Sequence, residues 1–214
     1  MLTFMFFLLP YHFLMIIISI IVFTYFYSLS IMEFVSKNNN RKGIIDMLTA
    51  VTGINWGDEG KGRVIDLLAE QADVVARYQG GNNAGHTVVT DQGKFVLNLL
   101  PSGILHSNVV CILGGGMVID LEHLAGEIQQ IREKGITVSP EHLKLSRLAT
   151  ISMPWHRIQD ELEEDRLAKT GSAFGSTRRG IAYAYSDKYR KKTLRLGDLL
   201  HLKEDSVKAR LRTM

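Results

Sequence analysis

The stretch VTGINWGDEGKGR, residues 51 to 63, decides the fold class. It joins a short β-branched run to three glycines and then to an apolar run with helical spacing that begins at Val64. The order of strand, glycine loop and helix is typical of α/β domains that hold an anion at the start of a helix. Gly57, Gly60 and Gly62 let the backbone approach that anion closely, and Lys61 adds a positive charge. We therefore expect an oxyanion-binding loop here.

The spacing of this loop differs from that of a standard P-loop. A P-loop has four residues between its glycines and a Ser or Thr after its lysine. Here six residues separate Gly53 from Gly60, and Gly62 follows Lys61. A bound metal would need a ligand other than that hydroxyl, and Asp58 is the nearest carboxylate. The spacing disfavours a simple GTPase-like module, although a purely structural glycine loop stays open as an alternative.

Length, charge and cysteine content narrow the class of protein. The chain has 214 residues, enough for one α/β domain with a real core. Its formal net charge of +3 gives no case for nucleic-acid binding. The single cysteine, Cys111, excludes a disulfide framework and is expected to be a buried strand thiol.

Residues 2 to 32 contain no Lys, Arg, Asp or Glu and are long enough to span a bilayer. They do not resemble a secretory signal, because no basic residue precedes them and no small-residue cleavage site follows. We favour an over-extended reading frame, since Met47 directly precedes Leu48 to Val51, where the first strand of an α/β domain is expected. The sequence thus predicts an apolar extension over residues 1–46, spurious, disordered or membrane-like, and a domain over 47–214. A genuine membrane anchor is the alternative.

A second glycine-rich turn follows the next expected strand, Asp73 to Tyr78. It spans residues 79 to 87, read as QGGNNAGHT, and leads into an expected hairpin over residues 88 to 97. Loops that leave successive strands of an open α/β sheet meet at the ligand crevice. His86 is therefore a candidate to donate a hydrogen bond or proton to a phosphoryl oxygen, with a solvated loop histidine as the alternative. Asn83 either reads a ligand or merely tolerates a left-handed turn.

A third unusual loop runs from Thr170 to Tyr185 and combines glycines with Ser176-Thr177 and Arg178-Arg179. Hydroxyl and guanidinium groups between glycines suit a second anionic ligand, and a mobile basic loop is the alternative.

Elsewhere the patterns predict ordinary scaffold elements. Val109 to Leu113 is expected to be a buried strand that ends at the three glycines 114 to 116. Asp120 is expected to cap a helix that Gly135 closes, and a further helix is expected from His156 to Ala168. We interpret the acidic residues of these helices, Glu127 and the 161–165 cluster among them, as solvated surface.

Four motifs together resemble the adenylosuccinate synthetase family: NWGDEGKG at 55–62, QGGNNAGHT at 79–87, LPSGIL at 100–105 and GSTRRGI at 175–181. The resemblance runs from Met47 to about residue 200. It implies an α/β fold with a mostly parallel central sheet flanked by helices and a P-loop-like nucleotide-binding architecture. Chains of that family continue for roughly as many residues again, so we expect the C-terminal half to be missing here.

The function that the resemblance implies is a GTP-dependent ligase of purine biosynthesis. Such an enzyme joins IMP and L-aspartate into adenylosuccinate, with GDP and phosphate as the other products, through a 6-phosphoryl-IMP intermediate on the way to AMP. It implies Mg²⁺ as the cofactor, a homodimer and a cytoplasmic location. By itself this chain is expected to have little activity. A nucleotide-binding module or a membrane-anchored protein without ligase activity is the alternative.

The resemblance also implies roles for single residues. The catalytic residues would be Asp58 and His86, and the Mg²⁺ ligands Asp58 and the carbonyl of Gly85. The GTP site would comprise Gly57, Asp58, Glu59, Gly60, Lys61, Gly62, Arg63, Gly85, His86 and Thr87. The IMP site would comprise Asp58, Glu59, Gly60, Lys61, Asn83, Ala84, Gly85, His86, Thr177 and Lys191.

Three residues depart from the family pattern. Lys191 stands where arginine is usual and gives up a bidentate grip on phosphate. Ala182-Tyr183 replaces the usual Gly-Pro, so we expect the local turn to differ.

Overall fold

The computed structural model describes residues 33–37, 47–53, 60–90 and 93–214. Several predictions from the sequence lie outside these ranges. They are the apolar segment 2–32 and the three loop residues Gly57, Asp58 and Glu59.

One central sheet organises the described part of the chain. Its strands are β1 (Glu33–Lys37), β2 (Met47–Val51), β3 (Val74–Gly80), β6 (Val110–Ile119), β7 (Leu143–Leu145) and β8 (Thr150–Ile151). The order is β2-β1-β3-β6-β7, and β8 also pairs with β6. The pairs of β6 with β3, β7 and β8 are parallel, whereas β1 is antiparallel to both of its neighbours. The predicted α/β fold with a mostly parallel sheet flanked by helices is confirmed.

Strand β1 comes from the region that the sequence analysis separated from the domain. Its backbone pairs Glu33 with Val51 on one side and with Arg77 on the other. The division of the chain at Met47 stays a prediction, with β1 on the N-terminal side of it.

A two-stranded hairpin and five helices complete the described fold. The hairpin consists of β4 (His86–Thr90) and β5 (Gly93–Leu97). The α-helices are α1 (Lys61–Ala69), α2 (Leu121–Glu133), α3 (Pro154–Ala168), α4 (Ile181–Tyr189) and α5 (Asp205–Arg212). Short 3₁₀ helices span Ser102–Leu105 and Leu196–His201. Within the described ranges, no helix is long and apolar enough to cross a bilayer.

The main core lies between the sheet, α1, α2 and the hairpin. It is built from fully buried aliphatic and aromatic side chains such as Ile65, Val75, Leu113 and Phe95. Cys111 is buried in β6, as the sequence predicts. A smaller cluster of Ile151, Leu194 and Val207 fixes α5 to the sheet edge at β8.

Strand β6 continues through the three glycines at which the sequence analysis ended it. The register between β3 and β6 shifts between Arg77 and Gln79, and the two backbones lie close together at this point. A Cβ at Gly116 would lie 2.5 Å from the carbonyl oxygen of Tyr78. The glycines therefore permit a close approach at an irregular pairing and do not terminate the strand.

Helix α4 begins inside the region that the sequence analysis assigned to a loop ending at Tyr185. Gly180 has a φ of 70° and its Cα packs against the backbone of His156 in α3. The N–H of Gly180 donates to Asp160, at 2.8 Å. A carboxylate from another helix thus fixes the start of α4, a signal that the local sequence does not contain.

Candidate functional site

The first turn of α1 has the features of an anion site. Gly60 precedes the helix in a left-handed conformation, and its carbonyl accepts from the N–H groups of Arg63 and Val64 at 3.0 and 3.2 Å. The first turn holds no acidic side chain, and Lys61 is half-buried at the helix start. The positive end of the helix dipole and this lysine both favour a negative ligand.

The imidazole of His86 packs directly on this turn. A Cβ at Gly62 would lie 2.6 Å from the Cβ of His86 and 2.7 Å from its ring. Only glycine at position 62 leaves room for this contact, so the close packing of the first glycine loop against the second depends on Gly62. The structure therefore brings together two of the stretches that the sequence analysis placed at one crevice.

A buried serine connects the two stretches. Ser102 begins the 3₁₀ helix after β5 and is fully buried. Its hydroxyl donates to the carbonyl of Gly62 at 3.0 Å and lies 3.1 Å from Nε2 of His86. Ser102 thereby holds the imidazole beside the first turn of α1.

The environment of His86 disfavours its charged form. Burial, and next the positive charge of Arg77, lower the pKa of His86 from its ordinary value of 6.5 to about 4. The imidazole is therefore neutral near pH 7 and offers one N–H donor and one acceptor nitrogen.

This lowered pKa predicts a loss of stability in acid. Between about pH 6.5 and 4 the unfolded chain binds a proton that folded His86 does not, so the free energy of unfolding falls as the pH falls. We expect a contribution of roughly 2 to 3 kcal/mol between pH 7 and pH 4.5. Urea denaturation at the two pH values measures it.

The variant His86→Gln removes this titration. Its free energy of unfolding is expected to fall by about 2 kcal/mol less than that of the wild type over the same pH interval. The matched control is His201→Gln, because His201 lies on the surface, paired with the exposed Glu204. Equal pH dependence of wild type and His86→Gln would contradict the prediction.

A buried arginine shapes the turn that precedes His86. Arg77 is 2% exposed, and its guanidinium donates to the carbonyls of Asn98 and Gly81, the latter at 3.0 Å. The neighbouring Asn82 donates to Asp120 at 3.3 Å. The turn is therefore tied both to the loop after β5 and to the start of α2.

The same turn contacts the start of α4. A Cβ at Gly81 would lie 2.5 Å from Cδ1 of Ile181, so the side chain of Ile181 packs directly on the backbone of this turn. The N–H of Gly80 donates to the hydroxyl of Tyr185 at 2.8 Å, and that hydroxyl donates to the carbonyl of Gly116 at 3.0 Å. Burial raises the pKa of Tyr185, so its hydroxyl stays protonated as this donor.

Two buried carboxylates of α3 hold the third loop. Glu164 accepts from the N–H groups of Gly175 and Ser176 at 2.6 and 3.2 Å, and Asp160 accepts from the hydroxyl of Ser176 at 2.6 Å. Glu164 is 5% exposed, so its interpretation as solvated helix surface is wrong. Thr177 follows Ser176 at the surface of this loop.

Comparisons with known proteins show to which family the chain belongs. A family model described as adenylosuccinate synthetase matches residues 50–214. The chain belongs to the adenylosuccinate synthetase family. Adenylosuccinate synthetase of Myxococcus xanthus (strain DK1622) is 48% identical over 151 residues, which cover 71% of this chain and 34% of that relative. Its counterpart from Carboxydothermus hydrogenoformans is 49% identical over 148 residues, or 69% of this chain and 34% of the relative.

A solved structure shows the same fold. The fully ligated adenylosuccinate synthetase from Plasmodium falciparum matches with a TM-score of 0.62 and 41% identity over 68% of this chain and 33% of that chain. The P-loop-like architecture expected from the sequence is thereby confirmed. The chain spans about a third of the length of these relatives.

The structure places most of the described candidates of this synthetase family site in one region. Gly60 to Arg63 form the start of α1, and beside them Gly85 precedes β4, which begins with His86 and Thr87. Asn83 and Ala84 belong to the same turn as Gly85, and the start of α4 links the loop of Thr177 to this turn. Gly57, Asp58 and Glu59 lie outside the described residues. The assigned roles stay predictions.

Lys191 lies apart from these residues. It follows α4 with a φ of 62°, whereas Thr177 precedes that helix. A helix of nine residues is about 13 Å long, so the two predicted IMP contacts stand at opposite ends of it.

The predicted metal ligands are represented here by Gly85 alone. Gly85 packs against the side-chain amide of Asn98, and a Cβ there would lie 2.7 Å from that nitrogen. In the ranges that the structure describes, no three His, Cys, Asp or Glu side chains are grouped to hold a metal. Mg²⁺ is commonly held by one or two carboxylates together with substrate phosphates. The carbonyl of Gly85 is an oxygen donor that could complete such a set, whereas the predicted carboxylate, Asp58, lies outside the described residues.

Sequence reasoning missed Ser102, Arg77, Asp160 and Glu164. Arg77 carried a usable signal, since it is a charged residue at an inward position of the apolar strand β3. Ser102 lies in the motif LPSGIL at 100–105, which contributed to the family resemblance but supplied no predicted site residue. A cavity of about 460 Å³ lies between α3, α4 and the third loop. Its lining includes Ala182 and Tyr183, which replace the usual Gly-Pro of the family, but none of the candidate residues 60–63 or 85–87.

Proposed function

We propose that this chain forms the phosphate- and IMP-binding part of a GTP-dependent ligase that joins IMP and L-aspartate into adenylosuccinate. The observation that carries the proposal is the imidazole of His86 packed on Gly62 at the positive end of α1. A transferred phosphoryl group needs little from a protein beyond positioning and charge neutralisation. A helix start, a lysine and a histidine donor supply both.

The GTP phosphates are proposed to bind along residues 57 to 63, with Lys61 as the point charge. Bound Mg²⁺ would neutralise charge on these phosphates, held by Asp58 and the carbonyl of Gly85. The absence of a hydroxyl after Lys61 is consistent with ligation by a carboxylate.

The first chemical step is proposed to begin at Asp58, which takes the proton from N1 of IMP. O6 then attacks the γ-phosphorus of GTP, the bond to the β-phosphate oxygen breaks, and GDP leaves. His86 assists this transfer through an N–H of its neutral ring that donates a hydrogen bond to a phosphoryl oxygen. The product of the step is 6-phosphoryl-IMP.

The second step is proposed to be the attack of the aspartate amine on C6 of that intermediate. The C6–O6 bond breaks, phosphate leaves with its oxygen, and adenylosuccinate remains. Asn83, Ala84 and Thr177 would contact IMP during both steps. Lys191 would reach the IMP phosphate of a second subunit in a cytoplasmic homodimer.

Nucleotide binding by the purified chain tests this proposal. Titration calorimetry with GTP and MgCl₂, and separately with IMP, is expected to show binding of both. Lys61→Ala should weaken GTP binding by about tenfold or more, because a charge-assisted hydrogen bond is lost. The matched control, Lys203→Ala, removes an exposed lysine outside the site and should leave binding unchanged.

Product formation is the second measurement. We expect little adenylosuccinate from the chain by itself, since none of the proposed site residues is assigned to bind the guanine base or aspartate. Any product that requires GTP, IMP and aspartate together would establish the ligase reaction directly. Failure to bind either nucleotide would overturn the proposed function.

A further inference from the structure

The surroundings of the Ser102 hydroxyl restrict the hydrogen bonds that it can make. It is fully buried and lies between a backbone carbonyl of α1 and a ring nitrogen of His86, at 3.0 and 3.1 Å. A serine hydroxyl has one proton to donate and can accept as well. The carbonyl of Gly62 can only accept.

These donor rules fix the direction of both hydrogen bonds. The proton of Ser102 must point to the carbonyl of Gly62, because that oxygen has no proton to give. The serine oxygen is then the acceptor for Nε2 of His86, which must carry a proton to make the second bond. The opposite arrangement would place two oxygens 3.0 Å apart without a proton between them.

We propose that Ser102 is a positioning residue that keeps the proton of the neutral His86 imidazole on Nε2 and keeps that nitrogen beside the first turn of α1. The inference rests on the proposed function for its chemical meaning. Before nucleotide arrives, the one N–H of the neutral ring is thus bonded to Ser102, and a phosphoryl oxygen would receive it by replacing or sharing that bond. Without Ser102 the proton divides between the two ring nitrogens, and part of the population presents a bare Nε2.

Nitrogen NMR of the wild-type chain, labelled with ¹⁵N-histidine and without nucleotide, tests the proposal. Protonated and bare ring nitrogens resonate far apart, so the ratio of the two tautomers can be read for each histidine. At pH 7 we expect His86 to be protonated on Nε2. A proton on Nδ1 in the wild type would overturn the proposal whether or not any variant folds.

The variant Ser102→Ala is expected to change the tautomer ratio of His86 by about tenfold, the value of one net buried hydrogen bond. A Ser102→Thr variant restores the hydroxyl and should return the ratio towards the wild-type value. A merely structural role would leave the ratio unchanged in both variants. An unchanged ratio in folded Ser102→Ala, or a Ser102→Thr ratio equal to that of Ser102→Ala, would contradict the proposal.

The chain offers a matched control. Ser139 makes the same kind of contact with Nδ1 of His142, at 3.2 Å. Ser139→Ala should therefore alter the spectrum of His142 and leave that of His86 unchanged. Because the measurement needs no ligand, a failed tautomer test leaves the proposed function standing, and failed GTP binding leaves the tautomer result intact.

Discussion

Replacing Gly180 with alanine is expected to lower the free energy of unfolding by roughly 3 to 4 kcal/mol, as measured by urea denaturation followed by circular dichroism. Two effects add. The φ of 70° is unfavourable for a residue with a Cβ. That Cβ would also lie 2.4 Å from the carbonyl carbon of His156 and 2.5 Å from the nitrogen of Arg157, and these backbone atoms of α3 cannot move aside without shifting the helix.

The control is Gly171→Ala, since Gly171 has the same φ of 70° but no heavy atom of the described residues within 4 Å of its ideal Cβ. The free energy of unfolding of this variant should fall by only about 1 kcal/mol, which is the cost of placing a residue with a Cβ at a positive φ. The difference between the two variants isolates the contact between α3 and the start of α4. Equal losses at the two positions would show that this contact is absent in solution.

The same substitution should disturb the candidate site. Gly180 is followed by Ile181, whose side chain lies on Gly81 in the turn before His86. A shift of α4 away from α3 would therefore move both that turn and the loop of Thr177.

Local signals in the sequence predict the scaffold well. Asp120 accepts from the N–H of His123 at 3.0 Å and caps α2, and Gly135 follows that helix with a φ of 87°. The hairpin of β4 and β5 and the helix after the first glycine loop also form where predicted. In each case the residues that carry the signal lie within a few positions of the structure that they determine.

Tertiary partners explain what the sequence could not predict. Glu127 and Glu133 lie on the same helix and appear alike in the sequence, yet Glu127 is buried and Glu133 pairs with Gln129 at the surface. The difference arises from residues 98 to 100, which fold against one face of α2. Burial of a carboxylate by a distant loop leaves no local pattern.

The candidate site divides in the same way. Sequence alone reveals the glycines at 60 and 62 and the turn at 85 to 87. A phosphate site needs glycines close to a hydrogen-bond donor, and both lie together in each of these stretches. The connection between them depends on Ser102, which lies 40 residues from Gly62 and 16 from His86. A serine in a short connection has no sequence feature that distinguishes this role.

The second large effect is expected at Glu127, whose carboxylate closes the loop that follows β5. Oε1 accepts from the N–H groups of Asn98 and Leu100 at 2.8 and 3.1 Å, and Oε2 accepts from that of Leu99 at 2.9 Å. Glu127→Ala leaves these three N–H groups without their acceptor in a buried place. We expect a loss of about 4 kcal/mol in urea denaturation, because each unsatisfied buried donor costs about 1 to 3 kcal/mol.

The control on the same helix is Glu133→Ala, which removes an exposed carboxylate and should change stability by about 0.5 kcal/mol or less. Glu127→Gln keeps one acceptor oxygen but turns an NH₂ group towards a backbone donor. Its loss of unfolding free energy should therefore be intermediate, at about 2 kcal/mol. Hydrogen exchange locates the effect, since residues 98 to 100 should lose protection first. If those amides stayed protected in Glu127→Ala, the loop would be held by other contacts. Because the side chain of Asn98 packs on Gly85, the loop held by Glu127 also supports the turn that carries His86.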